Sequence, residues 1–132
     1  MLGPMARLFI RIDFEPSGSA LGPGMAELLE RIGKLGSIRK AAASMQMSYR
    51  KAWLLVQGLQ RTFGNPVVTT ETGGAAGGGA QLTELGSKLL KTFRTVESRA
   101  TRAAESEMQM LAALVQKDAV PRGRAPRKKR PS

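Results

Sequence analysis

The sequence predicts a mainly α-helical fold with one small β-hairpin, and three observations lead there. Apolar residues recur at helical spacing through residues 25–35, 49–63 and from 83 onward, each run having one apolar face. Between the second and third runs, the β-branched VVTTET and the short AQLT flank five glycines within residues 73–79, a strand–turn–strand pattern. The 132 residues are 42% hydrophobic but only 5% aromatic, which suits one domain with an aliphatic core and an appended arm or tail.

Taken in order, residues 5–14 (MARLFIRIDF) set Leu8, Ile10, Ile12 and Phe14 against Arg7, Phe9, Arg11 and Asp13. This period of two predicts a strand with one buried face. PSGSALGPG is a turn-rich connector. MAELLERIGKL then places Met25, Leu28, Leu29, Ile32 and Leu35 on one helical face and stops at Gly36. Ser37 suits the N-cap of a short helix over Ile38–Met45, because its hydroxyl can accept from a first-turn N–H. Gln46 and Met47 make a break too short for an ordinary loop, and Ser48 caps a second helix from Tyr49 to about Phe63. Tyr49, Ala52, Val56, Leu59 and Phe63 form its apolar stripe, with Arg50, Lys51, Gln57 and Arg61 mostly off it. Two short helices joined by a tight turn, the second amphipathic with a basic outer face, predict a helix-turn-helix. Ala41, Ala42 and Ala43 would let the two helices cross closely, besides favouring helix themselves.

Asn65-Pro66 ends that helix, and the expected hairpin follows over residues 66–82. Thr83 then caps a long helix, with Glu84 in its first turn and no Gly or Pro from Ser87 to Val120. Leu82, Leu85, Leu89, Phe93, Val96, Ala100, Ala103, Met110 and Leu114 keep its apolar spacing, with Glu107 the polar intruder. About thirty helical residues would reach ~45 Å. A domain this small cannot cover that length, so the same helix of a second copy is the natural partner. A helix folded back on its own domain is the alternative. PRGRAPRKKRPS reads as a disordered basic tail.

Charge narrows the function. The net charge is +11, with a local +6 in residues 117–132 and +5 in the rest. More telling, no carboxylate stands between Glu30 and Glu71, whereas Lys34, Arg39, Lys40, Arg50, Lys51 and Arg61 all do. An all-positive folded segment of that length suits a polyanion, with double-stranded DNA the leading partner. Arg39, Lys40, Gln57 and Arg61 are thereby candidate DNA contacts. Cysteine and histidine are both absent, which removes disulfides, thiol nucleophiles and the commonest metal ligand and general base. No paired-carboxylate motif replaces them, so neither enzyme activity nor a cofactor is expected. The N-terminus lacks the apolar core of a secretory signal, and no apolar run is long enough to span a bilayer; the expected location is the cytoplasm.

The glycine stretch TGGAAGGGAQLT admits three readings. A phosphate loop needs G-x-x-x-x-G-K-[ST], but Ala80 and Gln81 follow Gly79 where Lys and Ser/Thr are required, and the setting is not βαβ. A flexible linker fits the composition but not the two short extended flanks. A hairpin directly after a helix-turn-helix is a wing, whose glycines allow positive φ and close backbone approach to phosphates.

These residues also carry a resemblance. The run GSI-x-x-AA, then MSYRKAW, then TGG-x-x-GGGA-x-LT-x-x-G resembles, over roughly residues 20–100, the N-terminal DNA-binding domain of ModE-type molybdate-responsive transcriptional regulators. These are relatives of the LysR-type winged helix. The resemblance implies a homodimeric, operator-binding regulator of molybdenum genes, mainly α with a small β wing. Its second helix would enter the major groove, with Ser48, Tyr49, Arg50 and Lys51 contacting bases and phosphates. Ser37 would hold a phosphate on backbone N–H groups, and Thr72, Gly73 and Gly74 would belong to the wing. Trp53 is expected in the core. The implied division is a winged helix-turn-helix over residues 1–82 (wing 66–82), a dimerisation helix over 83–116 and the tail over 117–132.

Three departures accompany the resemblance. Gln46 stands at a turn position where such domains often carry Gly, so it must adopt a left-handed or adjusted conformation. Ala75-Ala76 replaces a commonly basic wing tip. Residues 101–132 offer nothing that would fold into the family's molybdate-binding domain, so molybdate binding by this chain is not expected. Two other functions compete with the sequence-specific regulator: a nonspecific architectural DNA-binding protein driven by the tail, and a helix-mediated protein-interaction module.

Overall fold

The computed structural model describes residues 3–16, 18–71 and 79–116. Five helices and one two-stranded antiparallel sheet follow in the order α1 (Pro23–Leu35), α2 (Ile38–Ser44), α3 (Tyr49–Phe63), β1 (Val68–Glu71), β2 (Gly79–Leu82), α4 (Glu84–Ala103) and α5 (Glu105–Ala113). Among these helices, none is long and apolar enough to cross a membrane.

Helix α1 opens with Pro at its first position and closes at Gly36, whose φ of 70° is the left-handed conformation that glycine adopts without strain. It buries Met25, Ala26, Leu28, Leu29 and Ile32. Around that face the core collects Ile38, Ala41 and Ala42 of α2, Ala52, Val56 and Leu59 of α3, Val67, Val68 and Ala80 at the hairpin, and Phe93 of α4. Ala41, Ala42 and Ala52 are fully buried, as close helix crossings require, whereas Ala43 is exposed. Helix α2 ends one residue earlier than its spacing suggests. Its end is a Schellman turn: Met47 N–H donates to Ala42 O and Gln46 N–H to Ala43 O, both at 3.0 Å. Gln46 takes φ 59° there, as expected from its place in the turn, and a non-glycine residue in that region costs about 1 kcal/mol.

The strand expected over residues 5–14 is corrected. That segment is extended, and its burial alternates as its sequence does, with Ile10, Ile12 and Phe14 half-buried and Phe9, Arg11 and Asp13 exposed. Among the described residues it forms only a single bridge, Ile12 with Leu21, through two backbone hydrogen bonds of 2.9 and 2.8 Å. Alternation prescribes an extended chain with one wet face. It does not supply a partner strand, and the connector that returns beside it offers only Leu21. Phe14 instead packs edge-on against Phe63 at the end of α3, with ring centroids 5.1 Å apart.

The long helix from Thr83 is also corrected. Thr83 caps it as expected, its hydroxyl accepting from Gly86 N–H at 3.0 Å. Ala104, at φ −99° and ψ 10°, then separates α4 from α5. Alanine is the best helix former and announces no break. The polar intruder Glu107, with Glu105, falls in the first turn of α5, where carboxylates favour a helix N-terminus. The apolar stripe is buried only as far as Phe93; Val96, Met110, Leu111, Leu114 and Val115 are exposed, and α5 buries no side chain.

An ion-pair chain ties α1 to α4. Glu30 accepts from Arg94 at 2.8 Å and lies 3.5 Å from Lys34, while Arg94 also reaches Glu97 at 3.0 Å. The hydrogen bond from Arg94, with lesser contributions from the two cations' charge, holds the Glu30 carboxyl below the ordinary carboxylate range against the opposing effect of burial. A depressed carboxylate adds stability above its unfolded-state value and loses it as pH falls through the folded value. Glu30→Gln is therefore expected to lower stability at neutral pH by at most about 1 kcal/mol, the pair being partly solvated, and to match the parent at the acid end. Thermal unfolding from pH 3 to 7 checks this. A gap that persists unchanged at pH 3 would contradict it.

Candidate nucleic-acid interface

The candidate surface is built on the turn between α2 and α3. Ser37 accepts from Lys40 N–H and Ser48 from Lys51 N–H, each at 3.0 Å. Both serines thus act as N-caps, as their sequence positions imply, and each cap satisfies one of the first-turn donors of its helix. The turn brings Arg39 of α2 over the ring of Tyr49 at the start of α3, its guanidinium carbon 4.4 Å from the ring centroid. This is a cation–π contact across the turn. Tyr49, placed on the buried stripe by spacing, is 40% exposed.

Helix α3 buries Ala52, Val56, Gly58 and Leu59 and turns Arg50, Trp53, Leu54 and Arg61 outward, with Gln57 half-exposed among them. These five fall at i, i+3, i+4, i+7 and i+11, one stripe of the helix surface. Lys51 lies exposed on the flank of that stripe, and Lys40 is exposed on α2. Among the described residues, no carboxylate lies within salt-bridge distance of Arg39, Lys40, Arg50, Lys51 or Arg61. Lys34, by contrast, is paired with Glu30. The surface therefore carries fixed positive charge with no internal counterion, and its chemistry suits phosphates and the acceptor edges of bases. Among the described residues, no group of three or more acidic side chains gathers as a metal site.

Trp53 is the main correction here. Expected in the core, it is 43% exposed, and Leu54 beside it is 48% exposed. The spacing already contained the signal: at 3.6 residues per turn Trp53 lies about 90° around the helix from the middle of the Ala52–Val56–Leu59 face. A lone indole beside the Tyr49 stripe suggested burial.

Behind the surface, the hairpin is held at three points. Gln60 of α3 accepts from Val67 N–H at 3.0 Å and from Val68 N–H at 3.3 Å, fixing the start of β1. Ala80 N–H donates to Gly36 O at 2.9 Å, docking β2 on the end of α1. Thr83 donates its hydroxyl to Pro66 O at 2.8 Å, closing the base. The strands pair from Val68 with Leu82 to Glu71 with Gly79. Thr72, Gly73 and Gly74, with Ala75 and Ala76, lie outside the described residues, as does the basic segment 117–132.

No family model matches the chain. It is 40% identical over 87 residues to the molybdenum-pterin-binding protein MopB of Rhodobacter capsulatus, covering 66% of this chain and 32% of that protein. It is 34% identical over 93 residues to the molybdenum transport protein ModE of Azotobacter vinelandii, covering 70% and 33%. To the transcriptional regulator ModE of Haemophilus influenzae it is 32% identical over 77 residues, covering 58% and 30%. The chain spans about a third of the length of the curated relatives it matches. By name these relatives are molybdenum-binding or regulatory proteins, not enzymes, and the similarities fit the ModE/Mop family.

Proposed function

We propose that the chain is a sequence-specific, operator-binding transcriptional regulator of the ModE type, acting as a dimer. In this reading α2, the Gln46 turn and α3 are a helix-turn-helix, the β1–β2 hairpin is its wing, and α3 lies in the major groove. The observation that carries the proposal is the outward stripe of α3, where Arg50, Gln57 and Arg61 stand together with no carboxylate against them. Arg50 and Arg61 suit the two acceptors of guanine, and Gln57 the donor–acceptor pair of adenine. In this reading Arg39, Lys40, Ser37, Ser48, Tyr49 and Lys51, at the two helix starts, position the protein on phosphates. Thr72, Gly73 and Gly74 remain proposed wing contacts. The exposed apolar side chains along α4 and α5 support pairing with a second copy, since one chain leaves them in water. A link to molybdenum genes is inferred from the names of the relatives, and the location proposed with it is the cytoplasm.

Selection of bound duplexes from a random pool tests the reading. A palindromic consensus is expected, since a two-fold dimer reads two matching half-sites. Arg50→Ala is expected to lower affinity for the selected duplex by ~1–3 kcal/mol while changing affinity for unrelated duplex much less. Equal losses on both would remove the base-reading role. A pool without consensus, with binding abolished by deletion of residues 117–132, would point instead to a nonspecific architectural protein.

A further inference from the structure

We propose that Trp53 and Leu54 form an apolar reader for thymine methyl groups within the α3 surface. The inference rests on the DNA-binding reading and deepens it by naming the base chemistry. Large apolar side chains left in water on a folded surface mark a site of contact more often when they are contiguous and bordered by polar groups. Trp53 and Leu54 are adjacent in sequence, both close to half exposed, and set between Arg50 on one side and Gln57 and Arg61 on the other. The charge around them chooses the occupant. A protein partner with an ordinary mixed surface would bring no particular complement to this stripe, whereas a duplex brings phosphates to the arginines and one apolar group to the apolar pair. In the major groove that group is the C5-methyl of thymine, the one methyl group the four bases present there. Gln57 fits the same place, because a side-chain amide can pair with the adenine opposite each thymine.

Replacing thymine by uracil removes that methyl and leaves every donor and acceptor of the pair in place, so it isolates the proposed contact. The experiment uses the full chain and the duplex selected from the random pool, remade with deoxyuridine at each thymine position in turn. At the positions read by Trp53 and Leu54, uracil is expected to weaken binding about three- to tenfold per methyl contacted. Trp53→Ala and Leu54→Ala proteins are expected to lose that thymine preference while keeping the unfolding temperature of the parent, since neither side chain is part of the core. A consensus with no position sensitive to uracil would overturn the methyl reader and leave the DNA-binding reading intact. A pool yielding no consensus would overturn both. A shift of oligomeric state in Trp53→Ala, with the thymine preference unchanged, would assign the pair to a protein contact and overturn the proposal.

Discussion

Phe93→Ala is expected to destabilise the protein by ~3–5 kcal/mol, the usual range when a buried aromatic ring is removed and its cavity only partly collapses. Phe93 is 1% exposed and is the largest fully buried side chain among the described residues. Its position in α4 makes the effect more than a local void. The other buried residue of α4 is Gly86, which has no side chain to contribute, so Phe93 supplies the fully buried apolar anchor of a twenty-residue helix. Leu85, Leu89 and Leu90 add partly buried contacts around it. Denaturant unfolding measures the loss. Since α1 carries the core face that α4 covers, the surface of α3 is expected to persist at low temperature, and binding to duplex DNA to fall only as the unfolded fraction rises. A variant as stable as the parent would mean that α4 is held by something other than this ring.

Gly86→Ala is expected to destabilise by about 2–4 kcal/mol, although glycine to alanine inside a helix ordinarily stabilises by roughly 1 kcal/mol. The sign reverses because a Cβ at Gly86 would collide with the carbonyl oxygen of Val67. That carbonyl has little freedom to retreat. It accepts from Thr83 N–H at 3.0 Å, and the Val67 N–H is itself bonded to Gln60 at 3.0 Å. Displacing the carbonyl sacrifices a backbone hydrogen bond of about 1 kcal/mol, and the remaining overlap adds about 1–3 kcal/mol of overpacking. Thermal unfolding of Gly86→Ala beside Gly33→Ala makes the comparison fair. At Gly33 the nearest atoms are those of the flexible Leu82 side chain at 3.4 Å, an ordinary contact, so Gly33→Ala is expected to be neutral or to stabilise by up to roughly 1 kcal/mol. An equal effect at both positions would refute the carbonyl argument.

Much of the fold was legible from spacing and capping chemistry. Ser37, Ser48 and Thr83 are N-caps because a hydroxyl there meets a first-turn N–H, a local interaction that needs no knowledge of the rest of the chain. The same holds for Gly36, which ends α1 with φ 70°; α3 also closes on a left-handed glycine, Gly64, where Asn65-Pro66 was expected to stop it. Gln46 was expected in a left-handed or adjusted conformation because it stands where domains of the resembled family often carry Gly, and it takes φ 59°. The hairpin followed from β-branched residues facing a short extended flank across glycines.

The misses share one cause. Residues 5–14 have the alternation of a strand, but a strand exists only beside another, and pairing is decided by where the connector returns. The split at Ala104 has no local breaker, and only the acidic residues that follow it hint at a second helix start. Trp53 was assigned to the core as a lone indole beside the Tyr49 stripe, although Tyr49 itself is exposed and the edge of that stripe stays in water. For the candidate site, the basic residues were legible as a charge pattern. Their convergence was legible in part: Arg50, Gln57 and Arg61 share one stripe of α3 by helical spacing alone, whereas Arg39 on the Tyr49 ring depends on how α2 and α3 cross.

By itself, then, the sequence determined which segments are helical, the caps at Ser37, Ser48 and Thr83, and that one long segment carries positive charge alone, because periodicity, caps and charge act over a few residues. Only the tertiary structure decided that Arg39 of α2 meets Tyr49 of α3, which apolar residues stay in water, and why Gly86 admits nothing larger. Those depend on distances between residues far apart in the chain, and such distances are set by packing.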